Sequence, residues 1–550
     1  MSWESIAEKK RAALRDSIPS QWIIPSDILP PDDQADVTTF PRESGFFTEH
    51  ELEITSTNAA DILGKVASKE WTAVEVAEAF CKTAAVAHQL TNCLSETLFT
   101  SAIQHARELD TYLATHGKTK GPFHGLPISI KDNFNIIGVD STVGFASLVN
   151  DPATYNSTLI DLLLGAGAVL YCKTNVPTAM MIAESVNNVF GRTVNPRNRK
   201  LTSGGSSGGE AALIAFGGSR IGVGTDIGGS LRIPAACTGI YTIRPSFGRF
   251  PNSMTRSGLA GQEAVLSVNG PMATTLDEVI LWASTVVGQE PWLTDPKCLP
   301  IPWRTITPKP KYRFGVLYND GIVTPTPPVV RALNETVAKL KRAGHEVVTW
   351  APTEHKELLQ TLSRMFVADG GKSVRKLLEP TGEPFRPEMR MYEDAEDCGV
   401  YEMWQLQLKR NELCKAYLDR WNRAGIDAIL CPTTPYSTVE HGKFAYVGYT
   451  GVFNVLDYPA ASFPCGVVTD KDVDRAYIEH TPLSDIDAQI QGDYSAESVH
   501  GMPVNLQLVG RRLEDENVLA MTDVILKAIA SSWRIRNKDE AGSHLECEEI

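Results

Sequence analysis

The sequence predicts an α/β fold, a sheet covered by helices on both faces within one large domain. Three observations lead there. Apolar strand-like runs alternate with helical patterns along most of the chain. One glycine–serine turn feeds a helix, and a second follows a strand. No repeat or convincing break divides the 550 residues. Taken in order, residues 3–17 read as a short amphipathic helix, and the Pro- and Asp-rich stretch 25–41 as an extended arm, so residues 1–50 form a lead-in. Apolar side chains at helical spacing recur over 59–89, among them Val74, Ala77, Phe80, Cys81 and Ala84. That pattern breaks near Lys69–Trp71 and predicts two helices. Strands are expected at 127–130, 168–172 and 221–224, with helices at 157–164 and 210–216 between them. After the proline-rich stretch 300–310, a βαβ-like pattern resumes as strand 314–316, helix 329–343 and strand 345–350. A strand and loop at 428–435, a strand at 503–509 and a helix at 514–531 complete a main domain of residues 51–532. The polar, acidic tail 533–550 is expected to be disordered.

Composition narrows the function classes. The net charge of −14 and the lack of any compact Lys/Arg run argue against a nucleic-acid partner. Ten cysteines are scattered without a CxxC pair, and the eleven histidines include no HExxH. Reduced, mostly buried thiols are expected rather than disulfides or a zinc centre. The N-terminus is charged and lacks a signal-peptide core, and no run approaches about 18 uncharged apolar residues, so no integral membrane segment is predicted. A cytoplasmic protein is the expectation.

The chemistry concentrates in two places. Residues 125–133 (GLPISIKDN) end a strand-like run at Lys131, where Asp132 and Asn133 break it. Ligand sites in open α/β sheets gather beyond the carboxyl ends of strands, although most lysines are simply solvated. Residues 201–249 hold two glycine–serine turns separated by an apolar segment. The first, Gly204 to Gly209, has a linker-like composition, but the apolar run that follows makes it a turn feeding a helix. It is no phosphate loop, since no Lys-Ser or Lys-Thr follows the glycines. It also satisfies G-x-S-x-G, which in an α/β-hydrolase would make Ser206 the nucleophile. The required preceding strand is missing, because NPRNRK (195–200) stands there. The second turn, TDIGGS (225–230), follows a strand. Its serine either caps a turn or acts as a nucleophile, with glycines that let consecutive N–H groups converge on one oxygen. Together the turns point to acyl transfer from an amide or ester.

Those residues resemble the amidase signature family. The motif runs from Gly125-Leu126-Pro127 and Lys131-Asp132 through both serine turns to Arg244-Pro245-Ser246-Phe247-Gly248-Arg249. The segments GVFNVLDYPA (451–460) and HGMPVNLQLVGRR (500–512) are similar to later core segments of the family. The segments VNNVFGRTVNPRN (186–198) and GQEPW (288–292) resemble fungal acetamidases. The resemblance implies a large mixed, twisted sheet and a triad in which Ser230 is the nucleophile, Ser206 the bridging serine and Lys131 the base. It further implies a cis peptide at Gly205–Ser206, an oxyanion hole from the N–H groups of Ile227, Gly228, Gly229 and Ser230, and supporting positions on the substrate side at Ser207 and Asp226, with Arg232 beside them. No metal or organic cofactor is implied, the partner is a small-molecule amide, and a homodimer is the family-level expectation. Small aliphatic amides such as acetamide are the first expectation. Larger acyl, aryl or secondary-metabolite amides, a partner-dependent amidotransferase subunit and a non-catalytic scaffold are the alternatives.

The chemistry of such a triad sets a structural requirement. Lysine is a base only when neutral, and an ordinary pKa of about 10.4 leaves it charged at neutral pH. Burial in a dry site lowers it. Lys131 is therefore expected to be buried without a carboxylate ion pair, with Asp132 turned away.

Overall fold

The computed structural model describes the backbone of residues 1–543 and the side chains of residues 1–530. The helix expected at the N-terminus spans Trp3–Asp16. The predicted break near Lys69–Trp71 separates Ala59–Ala67 from Ala73–Thr91. Each of these helices starts on a side-chain cap: Asn58 accepts the N–H of Asp61, and Thr72 forms a reciprocal capping box with Glu75. The second ends at Asn92, whose φ of +54° stops the helix in the left-handed region.

The early strands are β1 (Leu94–Thr97), β2 (Pro127–Lys131) and β3 (Val169–Thr174). Two small hairpins follow, β4 (Val186–Asn187) with β5 (Gly191–Arg192) and β6 (Val194–Asn195) with β7 (Asn198–Thr202). The remaining strands are β8 (Ile221–Asp226), β9 (Tyr241–Arg244), β10 (Val268–Ala273), β11 (Arg313–Val316), β12 (Glu346–Thr349), β13 (Ala428–Pro432), β14 (Ala460–Val468) and β15 (Pro503–Val509). Eleven of them form one sheet in the order β1-β3-β2-β8-β10-β9-β14-β15-β13-β11-β12. The sheet is mixed. β3, β2 and β8 run parallel, as do β13, β11 and β12, while the strands between are antiparallel. Parallel pairs need crossover connections, and the helices that supply them cover both faces. Strands buried on both sides read as continuous apolar runs; all five residues of β2 are buried, as are all six of β3 and of β8.

The expected strands at 127–130, 168–172 and 221–224 thus appear with ends extended by one or two residues. The stretch 25–41 is largely without regular structure, as expected of an arm, but it is not peripheral. Val37 and Phe40 within it, and Ile18, Trp22, Ile24 and Phe47 on either side, are buried in the main core cluster. The terminal helix is Asp515–Ser543, so its backbone continues past residue 532, where the tail was expected to begin. The rest of that expectation, residues 544–550, lies outside the described residues.

What matters for the site is the carboxyl ends of two interior strands of this sheet. β2 and β8 are parallel neighbours, so Lys131 at the end of β2 and Asp226 at the end of β8 reach the same rim. The helix Gly208–Phe216 begins above that rim, two residues earlier than its apolar pattern suggests. The helix Arg232–Thr238 begins just after the second glycine–serine turn.

Candidate active site

The rim holds Lys131 in a dry pocket of hydroxyls. Its side chain is fully buried. Its Nζ donates to Ser206 Oγ at 2.8 Å, Ser207 Oγ at 2.9 Å and Thr225 Oγ1 at 2.7 Å. Among the described residues no carboxylate forms an ion pair with it. Burial lowers its pKa from 10.5 to about 7, against the opposing pull of the Asp226, Glu210 and Asp132 charges. Asp132 turns away, as strand alternation requires, and accepts from Ser95 Oγ and the Val143 N–H.

Ser206 and Ser207 come from the first turn. Gly204 allows it to pass close under the next helix: its φ is +77°, and a Cβ there would lie 2.8 Å from Pro234 Cα. The Gly205–Ser206 peptide bond is cis. Ser207 stands at the N-cap of helix Gly208–Phe216, and its N–H donates to the carbonyl of Ser230 at 3.2 Å, joining the two turns. The Ser207 hydroxyl also points its hydrogen at the Thr225 carbonyl, 3.3 Å away.

The second turn is built around Asp226. Its fully buried carboxylate accepts from the N–H of Gly229 at 2.8 Å and of Leu231 at 3.2 Å. It also accepts from Arg232 Nε at 3.0 Å and Nη2 at 3.1 Å, and from Asn454 Nδ2 at 2.8 Å. Burial alone would raise this carboxyl, but the charge and hydrogen bonds of Arg232 outweigh it and hold it at about 2. Gly229 has a φ of +136°, and a Cβ there would overlap Thr450 Oγ1, so only glycine fits. The loop delivers Ser230 half-buried to the wall of a cavity of about 440 Å³. Met180, Met181, Ile227, Leu362, Phe366 and Tyr392 are among its lining residues.

The structure refines the sequence expectations for individual residues. Lys131 and Ser206 are in direct contact, whereas among the described residues no hydrogen bond links Ser206 to Ser230. Of the four N–H groups expected to face an oxyanion, that of Gly229 is committed to Asp226. Those of Ile227, Gly228 and Ser230 have no protein acceptor among the described residues. Ser207 and Asp226 were expected on the substrate side, yet neither lines the cavity. Ser207 holds Lys131 and the Thr225 backbone, and Asp226 is enclosed by Arg232 and its own loop. Sequence reasoning missed Thr225, although it lies in the quoted TDIGGS turn. It also missed Asn454 and Gln507, which meet Arg232 at 2.7 and 3.2 Å from inside the two later segments that carried the resemblance. The cavity wall from helix His355–Phe366 and residues 442–448 had no local signal, because those chain segments are far from either motif. Among the described residues no cluster of three His, Cys, Asp or Glu is placed to hold a metal ion. No helix there is long and apolar enough to cross a membrane.

Comparison with known proteins shows the family. The family described as Amidase matches residues 75–519. The acetamidase of Emericella nidulans is 41% identical over 546 residues, covering 96% of this chain and 99% of its own length. Putative amidase kk1C of Curvularia clavata is 43% identical over 540 residues, covering 95% and 98%. Among solved structures, a fatty acid amide hydrolase superposes with a TM-score of 0.92 at 35% identity, covering 96% of this chain and 95% of that one. With the family matched over most of the chain and its serine turns and buried lysine assembled on one rim of the sheet, the chain belongs to the amidase signature family, hydrolases of carbon–nitrogen bonds.

Proposed function

We propose that the protein hydrolyses a carboxylic acid amide to a carboxylate and ammonia through an acyl-enzyme on Ser230. The observation that carries this reading is Lys131, buried beside Ser206 and, among the described residues, paired with no carboxylate that would hold it charged, at the rim where Ser230 meets the cavity. A neutral lysine has two N–H donors and one lone pair, so one of its three hydroxyl neighbours must donate to it. Ser207 already gives its hydrogen to the Thr225 carbonyl. In this reading Ser206 donates to the lone pair and takes the Ser230 proton as Ser230 Oγ attacks the amide carbon. Catalytic hydrogen bonds tighten on substrate binding, which accommodates the open Ser206–Ser230 leg.

The free N–H groups of Ile227, Gly228 and Ser230 are suited to the negative oxygen of the tetrahedral intermediate. The proton then returns through Ser206 to the leaving nitrogen, the C–N bond breaks and ammonia departs. Water attacks the Ser230 ester by the reverse relay, releasing the carboxylate and restoring the Ser230 hydroxyl. No step draws on a group outside these side chains, the backbone and water.

Small aliphatic amides such as acetamide remain the first choice of substrate, supported by the extent of similarity to the Emericella nidulans acetamidase. A specific observation favours a second reading, a longer acyl amide. The cavity of about 440 Å³ is far roomier than acetamide needs, and methionines and two phenylalanines are among the residues that line it. Full-length similarity to proteins named as amidases supports a stand-alone enzyme over a partner-dependent subunit. The described cysteines are all free thiols, which supports a cytosolic setting.

The deciding experiment is ammonia release from acetamide, hexanamide, benzamide and a long-chain amide, with Ser230→Ala and Lys131→Ala alongside. Both variants are expected to lose about a thousandfold or more in kcat, and the preferred amide sizes the acyl site. Turnover that survives Ser230→Ala would remove the serine from the mechanism.

A further inference from the structure

Asp132 follows the buried lysine in the chain yet makes no hydrogen bond to it. It is fully buried. Its Oδ1 accepts the Ser95 hydroxyl at 2.7 Å, and its Oδ2 accepts the Val143 N–H at 2.7 Å and the Thr142 hydroxyl at 3.3 Å. Val143 has a φ of +50°, a left-handed conformation that β-branched residues avoid. Its carbonyl accepts the N–H of Ala179 at 3.0 Å. Ala179 and Met180 are themselves left-handed, both at φ +59°. The turn they form carries Met180 and Met181 to the wall of the Ser230 cavity.

Three non-glycine residues in this region of conformational space persist only where their surroundings over-determine them. The surroundings here are visible. Next to Val143, a Cβ on Gly144 would lie 2.9 Å from Thr178 Cα, so the two turns are pressed together. On the far side, a Cβ on Gly258 would lie 2.7 Å from Ala179 Cα. Within this stack the Val143 N–H and C=O form a two-bond link, from the Asp132 carboxylate to the backbone of the methionine turn.

We propose that Asp132 is a positioning residue for the acyl site, clamping Val143 and thereby holding Met180 and Met181 where the acyl group of the substrate packs. The proposal rests on the reading of the Ser230 cavity as an amide site. The competing role for Asp132 is electrostatic: its charge also lies near Lys131 and Lys173.

Two substitutions separate the roles. Asparagine keeps the shape, can accept the Val143 N–H through its oxygen and can donate to Ser95, but it removes the charge. Alanine removes the clamp and the charge together. The clamp predicts that Asp132→Ala raises KM for hexanamide by about tenfold or more, with kcat at the pH optimum within about threefold. It predicts that Asp132→Asn restores KM to within about threefold of the original protein. Equal damage by Asn and Ala, or an acid limb that moves while KM stays constant, would overturn it.

Hydrogen exchange on the unmodified protein tests the same link without relying on a variant that folds. The Val143 and Ala179 amides are expected to open as one unit, with rates within about tenfold. An Ala179 amide exchanging more than about a hundredfold faster than Val143 would break the proposed link. Hydrolysis of hexanamide by the unmodified protein tests the amidase reading separately, so the two failures are distinguishable.

Discussion

Lys131 shows how one residue's role depends on what is kept away from it. Three hydroxyls hold its amine and, among the described residues, no carboxylate pairs with it, and burial brings its pKa to about 7. In its proposed role as base it would work in the neutral form, so kcat/KM is expected to fall as pH drops below about 7, by about tenfold per unit. Burial also raises the nearby Glu210 carboxyl to about 7, against hydrogen bonds from Ser129 and Thr174, so it titrates in the same range. Thr225→Val tells the two apart. Thr225 accepts from Lys131 and makes no hydrogen bond to Glu210. A hydrogen bond to the ammonium favours that form, so its removal lowers the lysine pKa and moves the acid limb to lower pH. A limb unmoved in Thr225→Val would assign the titration elsewhere. At this scale the sequence singled out Lys131, Ser206 and Ser230, the proposed triad, but Thr225 was hidden among ordinary turn residues.

At the scale of elements, the loop after β8 is organised by an ion pair that no solvent reaches. Asp226 and Arg232 are both fully buried, and the same carboxylate pins the N–H groups of Gly229 and Leu231. Breaking such a pair from one side leaves an uncompensated charge. Asp226→Ala is therefore expected to cost about 3–5 kcal/mol in urea or guanidinium unfolding and to remove activity with the loop geometry. A variant within about 1 kcal/mol of the original would show that Arg232 finds another partner. The strand and the glycine turn of this region were legible in the sequence, from an apolar run ending at glycines, whereas the helix Arg232–Thr238 had not been expected. The pairing was not, because Arg232 also needs Asn454 and Gln507, which lie more than two hundred residues along the chain.

For the whole molecule, the lead-in segment is part of the core. Ile18, Trp22, Ile24, Val37, Phe40 and Phe47 are buried in the same cluster as the helices behind β2 and β3. Burying a large apolar side chain is worth about 1.5–3 kcal/mol, so the six together rival the total stability of a typical domain, about 5–15 kcal/mol. A chain starting at residue 51 is expected to be recovered unfolded or aggregated, as judged by circular dichroism and solubility. A folded, active truncation would show the arm to be dispensable. Proline and aspartate content correctly suggested little regular structure there, but composition does not reveal what an irregular segment packs against.

The sequence by itself determined the family, the α/β class and most element positions, and its resemblance to the family singled out the three residues proposed for the chemistry. These follow from signals written along the chain: hydrophobic period, glycine placement and the family's motif. Tertiary structure decided which N–H groups stay free, which residues wall the cavity and what Asp132 holds. Those depend on contacts between segments distant in the chain, such as Val143 with Ala179 or Gly229 with Asp226 and Thr450. A hydrogen bond or a steric limit of that kind exists only once the eleven-stranded sheet has brought the segments together. A linear pattern carries the capacity to donate or accept, and packing selects the partner.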